Sequence, residues 1–382
     1  MSKVISKIKL NKVISLISGR DLIKEEYNSD HKGIPYIMGA SNMNNGELCV
    51  ERWTEEPAVL GVKDDIVISV KGTVGELLIL KEDTVHLSRQ VMSIRVSEKV
   101  NVKFMYYYLK FYLNKIKQKA KGMIPGIIRE DILDADFSYM DLEEQEKVIN
   151  ILEKAQSLID KRKAQIEALD ELVKSRFIEM FGDPVSNPMN WEKKRLADEC
   201  NIITGNTPSR KVKEYYGDYI EWIKSDNITD SSIYLTKARE YLSEKGLQLG
   251  RCVSENSILM TCIAGSIKCI GNVAIANRKV TFNQQINAIE PLENNVFFIF
   301  EQFKLSQNYI QSTINMSLKG ILSKGQLSEL EFIFPPLQLQ NEFAEFFIRI
   351  DKLKLEMEKS LKELEDNFNS LMQKAFKGEL FN

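Results

Sequence analysis

The sequence has few of the residues from which most catalytic and metal sites are built. Only two histidines, His31 and His86, occur among the 382 residues. The five cysteines are odd in number and form no Cys-x-x-Cys pair. This composition argues against a zinc site and against a Ser-His-Asp triad, and it gives no indication of a disulfide framework.

Long apolar runs are missing as well. No stretch approaches the roughly 18–20 apolar residues that are needed to cross a bilayer. The N-terminal segment MSKVISKIKL has no apolar signal-peptide core. Hydrophobic residues make up 43% of the chain and charged residues 28%. We therefore expect a soluble, cytoplasmic protein of two or three globular domains.

Signatures of nucleotide and methyl-donor chemistry are also absent. The segment Gly320–Gly325 has the glycine spacing of a phosphate-binding loop, but Gln326 stands where the lysine is required. The segment Phe334–Leu337 lacks the Asn or Asp that amino-methyltransferases place before two prolines. No glycine-rich loop marks an S-adenosylmethionine site. The sequence therefore predicts no catalytic residues, no metal and no cofactor.

What the chain does contain is one internal repeat, at a shift of about half its length. Coincidence among common residues is the alternative, but the matches keep the same order in both halves, and each half ends in a long charged segment. The clearest matches pair Ser18-Gly19 with Thr204-Gly205, Ser41-Asn42 with Asp226-Asn227, Ile66–Ser69 with Ile258–Thr261, and Gln90 with Gln285.

The two charged segments predict long helices. Leu142–Phe181 has no internal Pro or Gly and is rich in strong helix formers; the second helix opens at Pro335 and runs to Phe376. Apolar residues recur every seven positions in both, which is typical of a coiled coil. Rods of about 40 residues span roughly 60 Å. We expect the two rods to pair antiparallel within the chain; the alternative is that each pairs with another molecule.

The segment that precedes each rod, residues 1–136 and 191–332, is strand-rich. Short apolar or β-branched runs alternate with turn residues, and one helix follows in each copy, Phe104–Lys119 and Val296–Ile314. The predicted strands are Ile34–Met38, Asp65–Val70, Glu76–Leu80 and Val91–Val96 in the first copy, and Tyr219–Ile223, Ser257–Thr261, Gly271–Ala276 and Ile286–Ile289 in the second.

Together these patterns predict an α+β fold. Two similar globular domains are separated by two long antiparallel coiled-coil helices, in a pseudo-twofold internal repeat. The expected boundaries are 1–140 for the first domain, 141–183 for the central helix, 184–334 for the second domain and 335–382 for the C-terminal helix.

This organisation resembles the specificity (S) subunit of type I restriction-modification enzymes, and the resemblance covers almost the whole chain. Besides the repeat, it is carried by ILEKAQSLIDKRKAQIEALDELVKSRFIEMFGDP at 151–184 and PPLQLQNEFAEFFIRIDKL at 335–353. WEKKRLADECNIITGNTPSR at 191–210 is similar to the family's start of a recognition domain. One departure is that Ile5 stands in the first copy where Trp191 stands in the second.

The resemblance implies that each globular domain is a target recognition domain that reads one half of a split DNA sequence. Because the two copies differ in sequence, the target should be asymmetric. The implied partners are double-stranded DNA, two methyltransferase subunits docked on the helices, and restriction subunits. The family has no catalytic activity of its own. Two alternatives stay open: a coiled-coil adaptor that binds only proteins, and a DNA methyltransferase with a fused recognition domain.

Tight glycine loops form the first group of candidate DNA contacts. Glycine allows backbone N–H groups to approach a phosphate closely, and a flanking lysine can neutralise phosphate charge. An ordinary hairpin turn is the alternative interpretation. The candidates are Lys71, Gly72 and Thr73 in the first copy, and Gly265, Ser266 and Lys268 in the second.

Fork-shaped polar side chains at matching positions form the second group. Arginine can bind guanine O6 and N7, and asparagine or glutamine can bind adenine N6 and N7. The alternative is a polar strand end or a turn. The candidates are Arg89, Gln90, Asn283, Gln284 and Gln285, together with Ser41, Asn42 and Asn227 and the neighbouring Lys224.

Clustered cations form the third group, with Phe111 and Tyr112 interleaved among the lysines of the first copy. Such residues would contact phosphates and give salt-dependent affinity without sequence information. The alternative is a solvated face. The candidates are Lys117, Lys119 and Lys121, near Lys110 and Lys115, and Arg210 and Lys211.

Overall fold

The computed structural model describes residues 6–44, 46–119, 126–229, 232–314 and 320–381, without the side chains of residue 6 and residues 115–119. The chain forms two compact units. Unit 1 comprises Met1–Lys163 and Lys359–Asn382, and unit 2 comprises Ala164–Glu358. No helix in the described ranges has both the length and the apolar character that a membrane crossing requires.

The elements of unit 1 are mostly short strands. Its helices are α1 (Val102–Lys119), α2 (Arg129–Leu133) and the first part of α3 (Leu142–Phe181). The strands are β1 (Ser6–Lys9), β2 (Ile14–Ser18), β3 (Ile34–Ile37), β4 (Met43–Asn44), β5 (Glu47–Leu48), β6 (Trp53–Thr54), β7 (Leu60–Val62), β8 (Ile66–Ser69), β9 (Leu77–Ile79), β10 (Thr84–Leu87), β11 (Val91–Val96) and β12 (Asp136–Tyr139). Single 3₁₀ turns lie at Leu10–Lys12, Lys24–Glu26 and Ala40–Asn42.

Two four-stranded sheets organise unit 1. An antiparallel sheet has the order β2-β11-β8-β9, and a second sheet has the order β6-β3-β10-β7, in which β3 and β10 run parallel. Side chains alternate along β8 between two cores: Ile66 and Ile68 pack with α1, whereas Val67 packs with the second sheet. This two-sided burial explains why β8 reads as an unbroken apolar run.

Unit 2 has a related set of elements, in which the second sheet is five-stranded. Its helices are α4 (Leu196–Glu199), α5 (Glu244–Leu247), α6 (Val296–Leu305), α7 (Gln307–Ser312), α8 (Lys324–Glu329) and the first part of α9 (Leu337–Lys377). The strands are β13 (Lys193–Arg195), β14 (Cys200–Thr204), β15 (Tyr216–Gly217), β16 (Ile220–Ile223), β17 (Tyr241–Leu242), β18 (Cys252–Val253), β19 (Ile258–Thr261), β20 (Val273–Ile275), β21 (Val280–Phe282), β22 (Ile286–Pro291) and β23 (Glu331–Ile333). Its 3₁₀ turns are Lys213–Tyr215, Ser225–Asn227 and Ile267–Cys269. The five-stranded sheet has the order β15-β17-β16-β21-β18.

The sheet orders confirm the internal repeat. The sheet β14-β22-β19-β20 corresponds to β2-β11-β8-β9, and β16 and β21 form a parallel pair as β3 and β10 do. Ile258 pairs with Ile289 at the start of β19, as Ile66 pairs with Ile94 at the start of β8. Similar two-stranded ribbons, β1 with β12 and β13 with β23, bring the beginning and end of each globular segment together.

Within unit 1, the first part of α3 packs antiparallel to the end of α9. The Ser138 hydroxyl, just before α3, donates to the Phe376 carbonyl over 2.9 Å, and farther along α3 the Lys163 ammonium lies 3.2 Å from the Glu365 carboxylate. The ring of Phe376 also meets that of Phe104 edge-on at 5.4 Å. The last turns of α9 are therefore part of the core of unit 1.

Within unit 2, the later part of α3 packs antiparallel to the beginning of α9. The Lys354 ammonium lies 2.6 Å from an Asp170 oxygen, and the rings of Phe177 and Phe343 meet edge-on at 5.3 Å. Phe181 is fully buried in the same aromatic cluster. The apolar stripes that recur every seven residues thus meet inside the chain.

The predicted α+β class, the repeat and the two long helices are confirmed. One element differs: the helix predicted over Val296–Ile314 is two helices, because Ser306 between them has non-helical dihedral angles. The strands β2, β10, β14 and β21, which place the candidate site, are additional to those predicted from the sequence.

Candidate nucleic-acid interface

The candidate site of each unit is centred on one tight turn, which we call the central turn. It is Ser88–Gln90 between β10 and β11, and Asn283–Gln285 between β21 and β22. A hydrogen bond of 3.0 Å ties each turn to the neighbouring parallel strand, through the Ser88 amide in unit 1 and the Asn283 amide in unit 2. The first side chain of each turn also accepts a hydrogen bond from the amide two residues later, at 3.1 Å and 3.0 Å.

A glycine after the first sheet strand allows the chain to pass against each central turn. A Cβ atom added to Gly19 would lie 2.1 Å from the Ser88 carbonyl oxygen, and one added to Gly205 would lie 2.1 Å from that of Asn283. Any side chain at either position would push these segments apart. The repeat pair that the sequence suggested, Gly19 and Gly205, thus has the same packing role in both units.

In unit 1, the central turn gathers candidates from two other loops. The side-chain oxygen Oε1 of Gln90 lies 2.9 Å from the position of a Cβ added to Gly39, and 3.9 Å from one added to Gly72. Lys71, Thr73 and the side chain of Gln90 are exposed. One exposed surface therefore includes both the glycine loop and the central turn.

The glycine loop of unit 1 is also a hairpin turn. It joins the antiparallel strands β8 and β9, and Gly72 and Gly75 adopt positive φ angles of 72° and 90°. The Gly75 amide donates to the Ser69 carbonyl over 2.9 Å. The hairpin geometry is compatible with phosphate binding but does not require it, so the roles of Lys71, Gly72 and Thr73 remain predictions.

Asn42 and Asn227 are buried and have equivalent positions. The side-chain oxygen Oδ1 of Asn42 accepts from the Met38 amide over 2.8 Å, and its Nδ2 group donates to the Cys49 carbonyl over 2.9 Å. The Asn227 oxygen likewise accepts from the Lys224 amide over 3.0 Å. Both side chains hold the loop that follows β3 or β16, which supports the turn interpretation, whereas Ser41 beside Asn42 is exposed.

In unit 2, the second glycine loop lies at the end of β19. Gly265, Ser266 and Lys268 are exposed, and the Ser266 hydroxyl accepts from the Lys268 amide over 3.3 Å. The Gln307 amide group on α7 donates to the Lys268 carbonyl over 3.2 Å. The backbone of this loop is therefore fixed to a helix while its side chains remain accessible.

A cation cluster stands beside the central turn of unit 2. The guanidinium of Arg210 lies 4.6 Å from the Tyr216 ring centre and 4.9 Å from that of Trp222, and it forms a 2.7 Å ion pair with Glu240. Lys224 pairs with the same carboxylate. Hydrogen bonds from Arg210 and Lys224 lower the pKa of Glu240. Sequence reasoning found the two cations but missed the aromatic rings and the carboxylate that position them.

The other predicted cations are less informative. Lys211 is exposed. Lys117 and Lys119 lie on α1, but their side chains, like that of Lys115 and all of Lys121, fall outside the described residues. Lys110 has its ammonium 5.5 Å from the Phe368 ring centre, and burial lowers its pKa. Its packing against α9 makes a phosphate contact by Lys110 a poor interpretation.

Within the described ranges, no group of three or more His, Cys, Asp or Glu side chains is placed to bind a metal ion. His86 is buried; its Nε2 lies 2.9 Å from the Arg20 carbonyl oxygen, and its Nδ1 accepts from the Ala58 amide over 3.2 Å. Burial lowers its pKa. This histidine is a neutral structural group that holds loops together.

A family model and several known proteins match this chain. The family model "Type I restriction modification DNA specificity domain" matches residues 5–168 and again residues 188–366. The type I restriction enzyme EcoBI specificity subunit of Escherichia coli is 22% identical over 418 residues, which cover 98% of this chain and 86% of that protein.

Two further relatives match over shorter segments. The MjaIX specificity subunit of Methanocaldococcus jannaschii is 29% identical over 173 residues, 44% of this chain and 39% of the relative. The HindI specificity subunit of Haemophilus influenzae is 28% identical over 205 residues, 50% of this chain and 42% of the relative. The chain thus spans about two fifths of the length of these two relatives.

Solved structures share the fold. The type I restriction-modification S subunit from M. genitalium is 17% identical, with a TM-score of 0.54 over 98% of this chain and 97% of that chain. A second structure concerns the complex assembly and conformational transition of the type I R-M system. Its matching chain is also 17% identical, with a TM-score of 0.63 over 98% of each chain.

Proposed function

Because the chain belongs to the type I restriction-modification DNA specificity family, we propose that it reads an asymmetric, two-part DNA target for a restriction-modification complex in the cytoplasm. Residues 1–140 and 184–334 act as the two target recognition domains. The chain itself performs no chemistry; methyl transfer and cleavage take place on its partner subunits.

One observation carries this proposal: the same scaffold occurs twice and presents different side chains at equivalent exposed positions. At the second position of the central turn, unit 1 exposes Arg89 and unit 2 exposes Gln284, whereas the third position is glutamine in both units, exposed as Gln90 and half-buried as Gln285. Phosphate contacts position a protein on DNA, whereas forked polar side chains distinguish bases. Two scaffolds of one design with unlike side chains suit two half-sites of unlike sequence.

The long helices support the proposed docking of methyltransferase subunits. Leu158 and Leu172 on α3 are 53% and 46% exposed, although most of their apolar neighbours are buried. In unit 2, a groove of about 540 Å³ between α3 and α9 is lined by Leu172, Arg176, Phe346 and Arg349 among others. We propose that two methyltransferase subunits dock on these helices and that restriction subunits join the assembly.

The test of DNA recognition is base-resolution methylation mapping in cells that carry this chain with methyltransferase partners. We expect one two-part motif with unlike halves, present only when this chain is present. A symmetric motif, or the same motif without this chain, would contradict the proposal. A protein-only adaptor would instead give a complex without salt-dependent DNA affinity.

Docking is tested by co-purification with the methyltransferase subunit. Deleting α9 would be a poor test, because Phe343 and Phe376 on this helix are core residues of the two units. Leu158→Glu and Leu172→Glu change exposed positions instead. We expect them to weaken co-purification, whereas Leu292→Glu, at a 62% exposed position after β22, serves as the matched control.

A further inference from the structure

Equivalent backbone hydrogen bonds show which residues of the two central turns correspond. The Arg20 amide donates to the Leu87 carbonyl in unit 1, and the Asn206 amide donates to the Phe282 carbonyl in unit 2. Farther along, the Gln90 and Gln285 carbonyls accept from Val70 and Cys262, both over 2.8 Å.

This register makes position 21 equivalent to position 207, and position 89 equivalent to position 284.

In unit 1 these two positions form an ion pair. The Arg89 Nε lies 2.7 Å from Asp21 Oδ2, and the Arg89 amide donates to Asp21 Oδ1 over 3.0 Å. The Arg89 side chain is nevertheless 71% exposed. The carboxylate meets the guanidinium at Nε, which leaves the terminal nitrogens available for an external partner.

In unit 2 the equivalent positions form a neutral pair. The Thr207 hydroxyl donates to the Oε1 of Gln284, and the Gln284 side chain is exposed. This hydrogen bond engages one lone pair of the Gln284 Oε1 atom. The Nε2 group can then donate while Oε1 keeps a second lone pair for a donor.

We propose that positions 89 and 284 are the equivalent base-reading positions of the two units: Arg89, held by Asp21, reads a guanine in one half-site, and Gln284, held by Thr207, reads an adenine in the other. A guanidinium fork matches the two acceptors of guanine, O6 and N7. An amide matches the acceptor and donor of adenine, N7 and N6. Because Asp21 and Thr207 already restrain these side chains, less conformational entropy is lost when each side chain binds its base.

This inference rests on the proposed function, and an exchange of the two pairs tests it. The variant Asp21→Thr with Arg89→Gln gives unit 1 the pair of unit 2, and Thr207→Asp with Gln284→Arg does the reverse. Each is assembled with methyltransferase partners. Methyl transfer is then measured on duplexes that carry every base at every position of the mapped wild-type motif.

We expect the first variant to change one half-site at one position, from guanine to adenine, with a change in base preference of at least about 5-fold. The reciprocal variant should change one position of the other half-site, from adenine to guanine. Arg89→Lys keeps the charge but loses the fork, so it should lose the guanine preference while the salt dependence of binding is retained.

The control exchanges another exposed ion pair of unit 1, Lys9→Gln with Asp136→Thr, and should leave the motif unchanged. Unchanged base preference in both exchange variants would overturn the inference, as would changes in the same half-site, or loss of all methyl transfer in variants whose melting temperature is retained. Failure of the wild-type chain to direct any two-part methylation would instead contradict the proposed function itself.

Discussion

Replacing Asp65 by asparagine tests how strongly a buried carboxylate stabilises unit 1. Asp65 immediately precedes β8 and is 1% exposed. Its oxygens accept from Arg95 Nε and Nη2, both over 2.9 Å, and from the Ser93 hydroxyl over 2.7 Å. The Val62 amide adds a fourth hydrogen bond of 3.0 Å.

The expected cost follows from the number of donors. Three of the four donors bind Oδ2, and only Arg95 Nε binds Oδ1. An asparagine whose oxygen takes the Oδ2 position loses the Nε hydrogen bond, places its NH₂ group against that donor and weakens the other three bonds by removing the negative charge. We count the total loss as about two charged hydrogen bonds. A hydrogen bond to a charged group contributes about 1.5–3 kcal/mol. Because the Arg95 side chain is 45% exposed and can regain water, we take the lower end. The free energy of unfolding should fall by about 3 kcal/mol, which corresponds to a melting temperature lower by roughly 6–12 °C.

The pH dependence of this effect has a definite sign. Burial raises the pKa of Asp65, but the hydrogen bonds from Arg95, Ser93 and Val62 outweigh burial, so its pKa lies below the ordinary value of 3.8. A group with a depressed pKa stabilises the fold above its unfolded-state pKa and loses that contribution as the pH falls through its folded-state pKa. The difference in the free energy of unfolding between the wild type and Asp65→Asn should therefore be constant near neutral pH and become smaller below about pH 4.

Differential scanning calorimetry from neutral to acidic pH measures both quantities. Asp136→Asn is the matched control, because Asp136 pairs with Lys9 over 2.7 Å but its side chain is 69% exposed. A surface pair of this kind contributes little to stability, because both charges stay hydrated in the folded and in the unfolded state. If Asp65→Asn melts within 2 °C of the control, Asp65 is not a buried, ionised group that stabilises unit 1. The same conclusion follows if the difference in melting temperature between the wild type and Asp65→Asn does not become smaller in acid.

Three further predictions concern packing, thiol access and charge. Gly205→Ala should lower the free energy of unfolding by about 2–3 kcal/mol, because its Cβ would lie 2.1 Å from a carbonyl oxygen, whereas Gly265→Ala, whose Cβ meets nothing within 4 Å, should melt as the wild type does. Cys49 is exposed and should react with an alkylating reagent in the native protein; Cys262 should react only on unfolding, because burial raises its pKa to about 12, and labelling of Cys262 at native conditions would contradict its placement. Lys71→Gln should reduce the slope of log affinity against log salt by about 0.9 if the lysine contacts a phosphate, and an unchanged slope would remove it from the site.

The sequence was informative wherever a pattern is local. The helix α3 runs over Leu142–Phe181 as predicted, because its helix-forming composition and its apolar stripe both lie within one continuous stretch of sequence. Leu152 and Val173 of that stripe are buried as the seven-residue repeat required. Strand β8 was recognisable for the same reason, since every residue of Ile66–Ser69 is buried.

The candidate site was less predictable because its contacts join distant segments. Asp21 lies 68 residues before Arg89, and neither residue carries a local signal that it meets the other. The cluster of Arg210 with Glu240 has the same character. Asn42 and Asn227 were found by the repeat, yet only the structure shows that their amides are buried and hold loops. Polar residue type alone does not distinguish a loop anchor from an exposed reading group.

The division of α9 between the two units has a consequence for the order in which the chain folds during synthesis on the ribosome. Unit 2 is a continuous segment, Ala164–Glu358, so its core can close as soon as that stretch has emerged. The core of unit 1 is completed later, because Phe368, Met372, Ala375 and Phe376 pack with core residues between Leu10 and Ile159, which are synthesised more than two hundred positions earlier. The nascent first half therefore exposes apolar surface for most of translation, and it is the half with the greater need for a chaperone.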